Sequence, residues 1–167
     1  MVAAFRMKEI VAFDPYLNDE RAAEIGVRPV SLHDLMCEAD FISINCPLNN
    51  DTRNLIGAAQ IDLMKPTAYL INTARGGIVN EDDLIQALKR NCIAGAALDC
   101  HEKEPLPAGS PIAELDYVIV APHAIAWTDE LFRDNGRMAC AQMLETAKGK
   151  IPHGVVNADV LDRPGFQ

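Results

Sequence analysis

The 167-residue chain is short of aromatic side chains, at 5% of its residues, and short of positive charge, with 15 Lys and Arg against 24 Asp and Glu. The resulting net charge of −9 excludes the basic surface that nucleic acid or an anionic membrane would require, so neither is expected as a partner. No apolar stretch approaches the roughly 20 residues of a membrane-spanning helix. The opening "MVAAFRMKEI" is too short and too interrupted by charge to read as a signal peptide. Cysteine is present but unpaired in pattern: Cys37, Cys46, Cys92, Cys100 and Cys140 stand at scattered spacings with no C-x-x-C. An odd number without a secretory segment predicts reduced thiols, a cytoplasmic location and no metal site. Neither an internal repeat nor a low-complexity tract is found.

What is present is an alternation. About half the chain is hydrophobic (49%), enough for a compact α/β core. Short apolar runs, read as strands, lie at Glu9 to Phe13, Phe41 to Cys46, Thr67 to Asn72, Ile93 to Asp99 and Tyr117 to Pro122. Between them, helical patterns occupy "NDERAAEIG", "SLHDLMCEA", "IDLMKP", Glu81 to Arg90 and, last, "TDELFRDNGRMACAQMLETAKGK". Strands alternating with helices predict βαβ units and a doubly wound parallel sheet. We expect one domain over residues 1–150 and an extended arm over 151–167, where helical periodicity is lost and two prolines occur.

The stretch "LINTARGGIVNEDDL" concentrates the functional signal. An apolar run ends in small residues, then Arg75, then two glycines that let the backbone bend. Asn80 is placed to cap a helix, and Glu81, Asp82 and Asp83 suit its positive end. Arg75 therefore falls where a strand hands over to a helix, on the edge where open α/β sheets bind ligands. Asp14, Asp99 with Glu104, and His123 follow other predicted strand ends. Taken singly, Arg75 reads as a solvated loop cation, Asp14 as a turn aspartate before proline, Glu104 as a loop acid and His123 as a packed histidine. Taken together, a cation for a carboxylate, a histidine for proton transfer and an acid to orient it form a coherent set.

"VAFDPY", "INTARGGIVNEDDLIQAL", "AGAALDCHEKEPLP" and "VIVAPHAIAWT" resemble the NAD-dependent D-2-hydroxyacid dehydrogenases, the phosphoglycerate dehydrogenase and glyoxylate/hydroxypyruvate reductase type. The resemblance implies hydride transfer between NAD and C2 of a small 2-keto or 2-hydroxy acid. Under it, Arg75 grips the substrate carboxylate with a planar fork, and His123 is the general acid or base. Glu104 hydrogen-bonds the His123 ring and favours its charged form. Formate dehydrogenases of the same architecture usually pair the histidine with glutamine, so Glu104 argues for hydroxyacid chemistry. Asp14 is expected on the adenosine ribose and Asp99 at the nicotinamide carboxamide, with Cys46, Pro47, Thr52, Thr73 and Ala74 lining the cofactor. Trp127 is expected near the active-site histidine, or else in a core, while His33, His101 and His153 are set aside as incidental.

The sequence departs from the family in one region. The G-x-G-x-x-G turn is absent, and with it the first, central strand of such a sheet and the substrate domain. "MVAAFRMKEI" resembles the last turns of the helix after those glycines. The expectation is therefore the C-terminal portion of a dehydrogenase, with a gap beside the strand that ends at Asp14 and a homodimer where exposed edges pair. The alternative is a catalytically inactive remnant or an oligomerising NAD-domain scaffold.

Overall fold

The structure, a computed structural model, describes residues 2–162. The chain divides into two units, Met1–Ile125 and Ala126–Gln167. The division lies at Ile125 and Ala126, ahead of the boundary expected at residue 150. The helix α5 (Asp129–Ala147) has no buried residue.

Among the described residues the first unit holds six strands in two sheets. β1 (Val11–Ala12) and β2 (Arg28–Pro29) pair in parallel, Val11 against Arg28 and Ala12 against Pro29. β2 was not foreseen, because proline in so short a run reads as a breaker; Pro29 is tolerated because it closes an edge strand. β3 (Phe41–Ile44), β4 (Tyr69–Asn72), β5 (Gly95–Leu98) and β6 (Val118–Val120) form the main sheet in that order, all parallel. β1 stands outside this sheet and pairs with neither β3 nor β4, in agreement with the expected gap beside the strand before Asp14.

Local chemistry accounts for most element boundaries. Asn18, Ser31 and Asn80 each cap a helix with a side-chain oxygen: α1 (Asp19–Ile25), α2 (Leu32–Glu38) and α4 (Glu81–Lys89). Gly26 ends α1 with φ of 71°, a conformation glycine adopts without cost. The short helix expected over "IDLMKP" lies one turn earlier, as α3 (Ala58–Ile61). Its first N–H groups are already satisfied there, Gly57 N by Gln60 Oε1 and Ala58 N by Asp83 Oδ2. The N-terminal stretch forms a 3₁₀ turn at Val2–Phe5 rather than an α-helix.

The core lies between the main sheet and its helices. Leu70 of β4 and Leu84 and Leu88 of α4 are fully buried, with Ile61, Ile78 and Ile93 around them. Each such side chain contributes about 1.5–3 kcal/mol relative to exposure. The parallel registers Ile44↔Asn72 and Asn72↔Leu98 bring the C-terminal ends of β3, β4 and β5 to one edge, and β6 ends beside Leu98.

In the second unit Thr128 caps α5 by accepting the Leu131 N–H. Trp127 is exposed and meets Phe132 edge-on, with ring centroids 6.0 Å apart. Gln142 Nε2 donates to the His153 carbonyl at 2.9 Å. The segment expected as an extended arm contains a 3₁₀ turn at Ala158–Asp162, and its last residues, 163–167, lie outside the described residues. Among the described residues no helix is long and apolar enough to cross a membrane.

Gly95 marks the tightest approach within the main sheet, since a Cβ there would lie 2.4 Å from the Tyr117 carbonyl oxygen. Gly95→Ala should cost about 1–3 kcal/mol as an overpacked site. At about 2–4 °C per kcal/mol for this size, the melting temperature should fall by several degrees. A melt that does not move would show that β5 and β6 are not so closely held.

Candidate active site

Four loops leave the C-terminal edge of the main sheet, and three of them carry the expected reactive side chains. The loop after β4 is built by Asn72, which sequence reasoning passed over as a strand residue. Its buried amide donates from Nδ2 to the Arg75 carbonyl at 2.9 Å and accepts the Ala74 N–H at 3.1 Å. One side chain thus closes the turn that presents Arg75. The exposed Arg75 guanidinium donates to the Ala74 carbonyl, so the structure holds it on its own loop rather than on Glu104 or His123.

Gly76 explains why small residues follow Arg75. A Cβ there would lie 1.8 Å from the His101 carbonyl oxygen and 2.8 Å from Glu102 N. The loop after β4 therefore packs backbone to backbone on the loop after β5, which only glycine permits.

The loop after β5 carries Glu104. Its Oε1 accepts the His101 backbone N–H at 2.9 Å, and its carboxylate faces His123 Nδ1 at 2.9 Å (Oε2) and 3.1 Å (Oε1). The hydrogen bond from His123 first, and that from His101 N–H second, hold the Glu104 carboxyl below the usual carboxylate range. An ionised carboxylate only accepts, so His123 Nδ1 carries a proton and Nε2 is the nitrogen left for proton exchange with a ligand. The pair is half-exposed, His123 at 39% and Glu104 at 37% of side-chain area, accessible to a ligand while remaining paired.

His123 itself has φ of 57°, a left-handed conformation that is uncommon for residues other than glycine and clusters at functional sites. Its loop is restrained on both sides. Ala121 N donates to the Leu98 carbonyl, and the two Asp99 carboxylate oxygens accept the N–H groups of Ala124 and Ile125 at 2.9 and 3.1 Å. Asp99, expected at a nicotinamide carboxamide, is thus 4% exposed and engaged in holding the histidine loop.

The remaining expected positions are more dispersed. Half-buried Cys46 and exposed Pro47 follow β3, and half-buried Thr73 and Ala74 follow β4. Thr52 Oγ1 donates to the Pro47 carbonyl at 2.6 Å, shaping the loop after β3. Asp14 follows β1, off the main sheet, where its Oδ1 accepts the Tyr16 N–H at 2.8 Å as in a simple aspartate turn. Among the described residues no cluster fit to hold a metal ion is found.

These strands, with Glu104 paired to His123 and with Arg75 on one edge, define a Rossmann-like α/β domain. The chain belongs to the family described as D-isomer specific 2-hydroxyacid dehydrogenase, NAD binding domain, which it matches over residues 1–124. It is 38% identical over 160 residues to a glyoxylate reductase of Korarchaeum cryptofilum, covering 95% of this chain and 48% of that protein. With a D-3-phosphoglycerate dehydrogenase of Methanocaldococcus jannaschii it shares 41% identity over 155 residues, 92% of this chain and 29% of the relative. The NAD-complexed D-isomer specific 2-hydroxyacid dehydrogenase of Lactobacillus delbrueckii ssp. bulgaricus superposes with a TM-score of 0.79 at 30% identity, covering 93% of this chain and 50% of that one. The chain thus spans about half the length, or less, of the relatives it matches. The family model that the chain matches is that of an NAD binding domain, and the small, half-buried Cys46, Thr73 and Ala74 that follow β3 and β4 bring no bulk or charge that would conflict with such a cofactor.

Two outcomes test this geometry. Because the Glu104 carboxyl is held below its usual value in the folded chain, its stabilisation is present above the ordinary carboxylate range and is lost as pH falls through the folded value. The melting temperature of wild type should therefore exceed that of Glu104→Gln near neutrality, with the difference vanishing in acid; a difference independent of pH would remove the ionised pair. Burial raises the Cys100 thiol to about 11, so in native protein a thiol reagent should modify exposed Cys140 well before Cys100. Equal labelling of the two would contradict the packing around Asn72.

Proposed function

We propose that the protein containing this chain is an NAD-dependent oxidoreductase that interconverts a small 2-keto acid and the corresponding D-2-hydroxy acid. The observation that carries this reading is the Glu104–His123 hydrogen bond, which keeps the proton on Nδ1 and leaves Nε2 for chemistry. NAD supplies or accepts the hydride at substrate C2 when bound. In reduction His123 gives the proton on Nε2 to the keto oxygen; in oxidation it takes the proton of the hydroxyl. Glu104 stabilises the charged ring in each direction. Arg75 binds the substrate carboxylate with its guanidinium fork, exchanging the Ala74 carbonyl for a charged partner.

In this reading Cys46, Pro47, Thr52, Thr73, Ala74 and Asp99 line the cofactor, and Asp14 accepts from the adenosine ribose hydroxyls, favouring NAD over NADP by repelling a 2′-phosphate. The names of the relatives point to glyoxylate or hydroxypyruvate as substrate. The unpaired edge of β3 supports a homodimer, and the unpaired cysteines support a cytoplasmic location.

The test is steady-state reduction of glyoxylate and hydroxypyruvate by the whole protein. His123→Gln should lower kcat by about 10²–10⁴ with little change in KM, as expected for loss of a general acid. Arg75→Lys should instead raise KM for the keto acid, because the two-pronged carboxylate contact is lost. Ordinary turnover by His123→Gln would overturn the assignment. Equal use of NADP and NAD would show that Asp14 does not face the ribose.

A further inference from the structure

We propose that His101 is a positioning residue that locks the three site-bearing loops together through its ring Nε2, its backbone N–H and its carbonyl. Its side chain is 2% exposed, and the dehydrogenase chemistry above makes no use of it. Nε2 lies 3.3 Å from the Ala121 carbonyl oxygen, two residues before His123. Nδ1 lies 3.6 Å from Glu81 Oε2 at the start of α4 and has no hydrogen-bond partner. A carbonyl oxygen only accepts, so Nε2 carries the proton and donates to Ala121.

The connections of this one residue reach every part of the candidate site. Its ring holds the segment entering His123. Its backbone N–H donates to Glu104 Oε1. Its carbonyl is the surface on which Gly76, next to Arg75, is packed. Glu81 completes the assembly: its N–H donates to Glu102 Oε1 at 2.9 Å, and its Oε2 accepts Glu102 N–H at 3.2 Å.

The proposal rests on reading Glu104 and His123 as an acid–base pair, and its test is chosen to be independent of turnover. In this chain labelled with ¹⁵N, ring spectra should show a proton on His101 Nε2. A ring with a bare Nε2 overturns the proposal. Amide hydrogen exchange then reads the lock: His101→Phe keeps the ring volume but removes the Nε2 donor. Exchange across residues 121–125 should quicken about tenfold, the size expected for one lost hydrogen bond, while Tyr69–Asn72 stays protected. His101→Gln, which can still donate to the Ala121 carbonyl, should recover part of that protection. Unchanged exchange over 121–125, or an equal rise throughout the main sheet, overturns the proposal. If His101→Phe does not fold, the ring spectrum and His101→Gln decide it. These readouts need no substrate, so an inactive protein in which His101 holds residues 121–125 would count against the dehydrogenase reading alone.

Discussion

The parallel pairing of β4 with a strand on each side is the constraint from which the rest of the site follows. Parallel strands must end on the same edge, and their connections must cross back over the sheet before the next strand begins. The residues after Asn72, Leu98 and Val120 are therefore neighbours, although up to about fifty positions separate them in sequence. Leu70 and the helix face of Leu84 and Leu88 hold that register, since a slip of one residue would turn the apolar side chains of β4 out of the core.

Once the loops are neighbours, backbone polarity decides how they settle. Each loop must satisfy its N–H and carbonyl groups away from a strand partner, and several do so through side chains from another loop. Asp99 takes two N–H groups of the histidine loop. Glu81 and Glu102 exchange hydrogen bonds across the mouth of α4, and Asn72 closes the turn bearing Arg75. This mutual satisfaction is what keeps His123 in a left-handed conformation that costs of order 1–3 kcal/mol. The strain persists because the groups on both sides of His123 are already committed.

The Glu104–His123 pair inherits its protonation from that arrangement. Glu104 is ionised because it accepts from both a ring nitrogen and a backbone N–H, and an ionised Glu104 dictates which nitrogen of His123 holds its proton. Arg75, on a turn closed by its own neighbours, donates to the Ala74 carbonyl. The buried Cys100 beneath them is held protonated by burial and surrounding carboxylates, so it contributes packing and no nucleophile.

Much of this was legible from the residues alone, because it depends on local pattern. The caps at Asn18, Ser31 and Asn80, the strands around Ile42, Leu70 and Ile119, and the placement of Arg75, Glu104 and His123 after strand ends all follow from periodicity and turn chemistry within a few residues. The tertiary structure decided whatever depends on contacts between distant segments. It paired β1 with the unforeseen β2, began α3 a turn early because Asp83 reaches Ala58, and turned Asp99 toward the histidine loop. His101, incidental by its sequence context, became the meeting point of three loops, because burial between a carbonyl and a carboxylate is a property of the folded arrangement that no local pattern encodes.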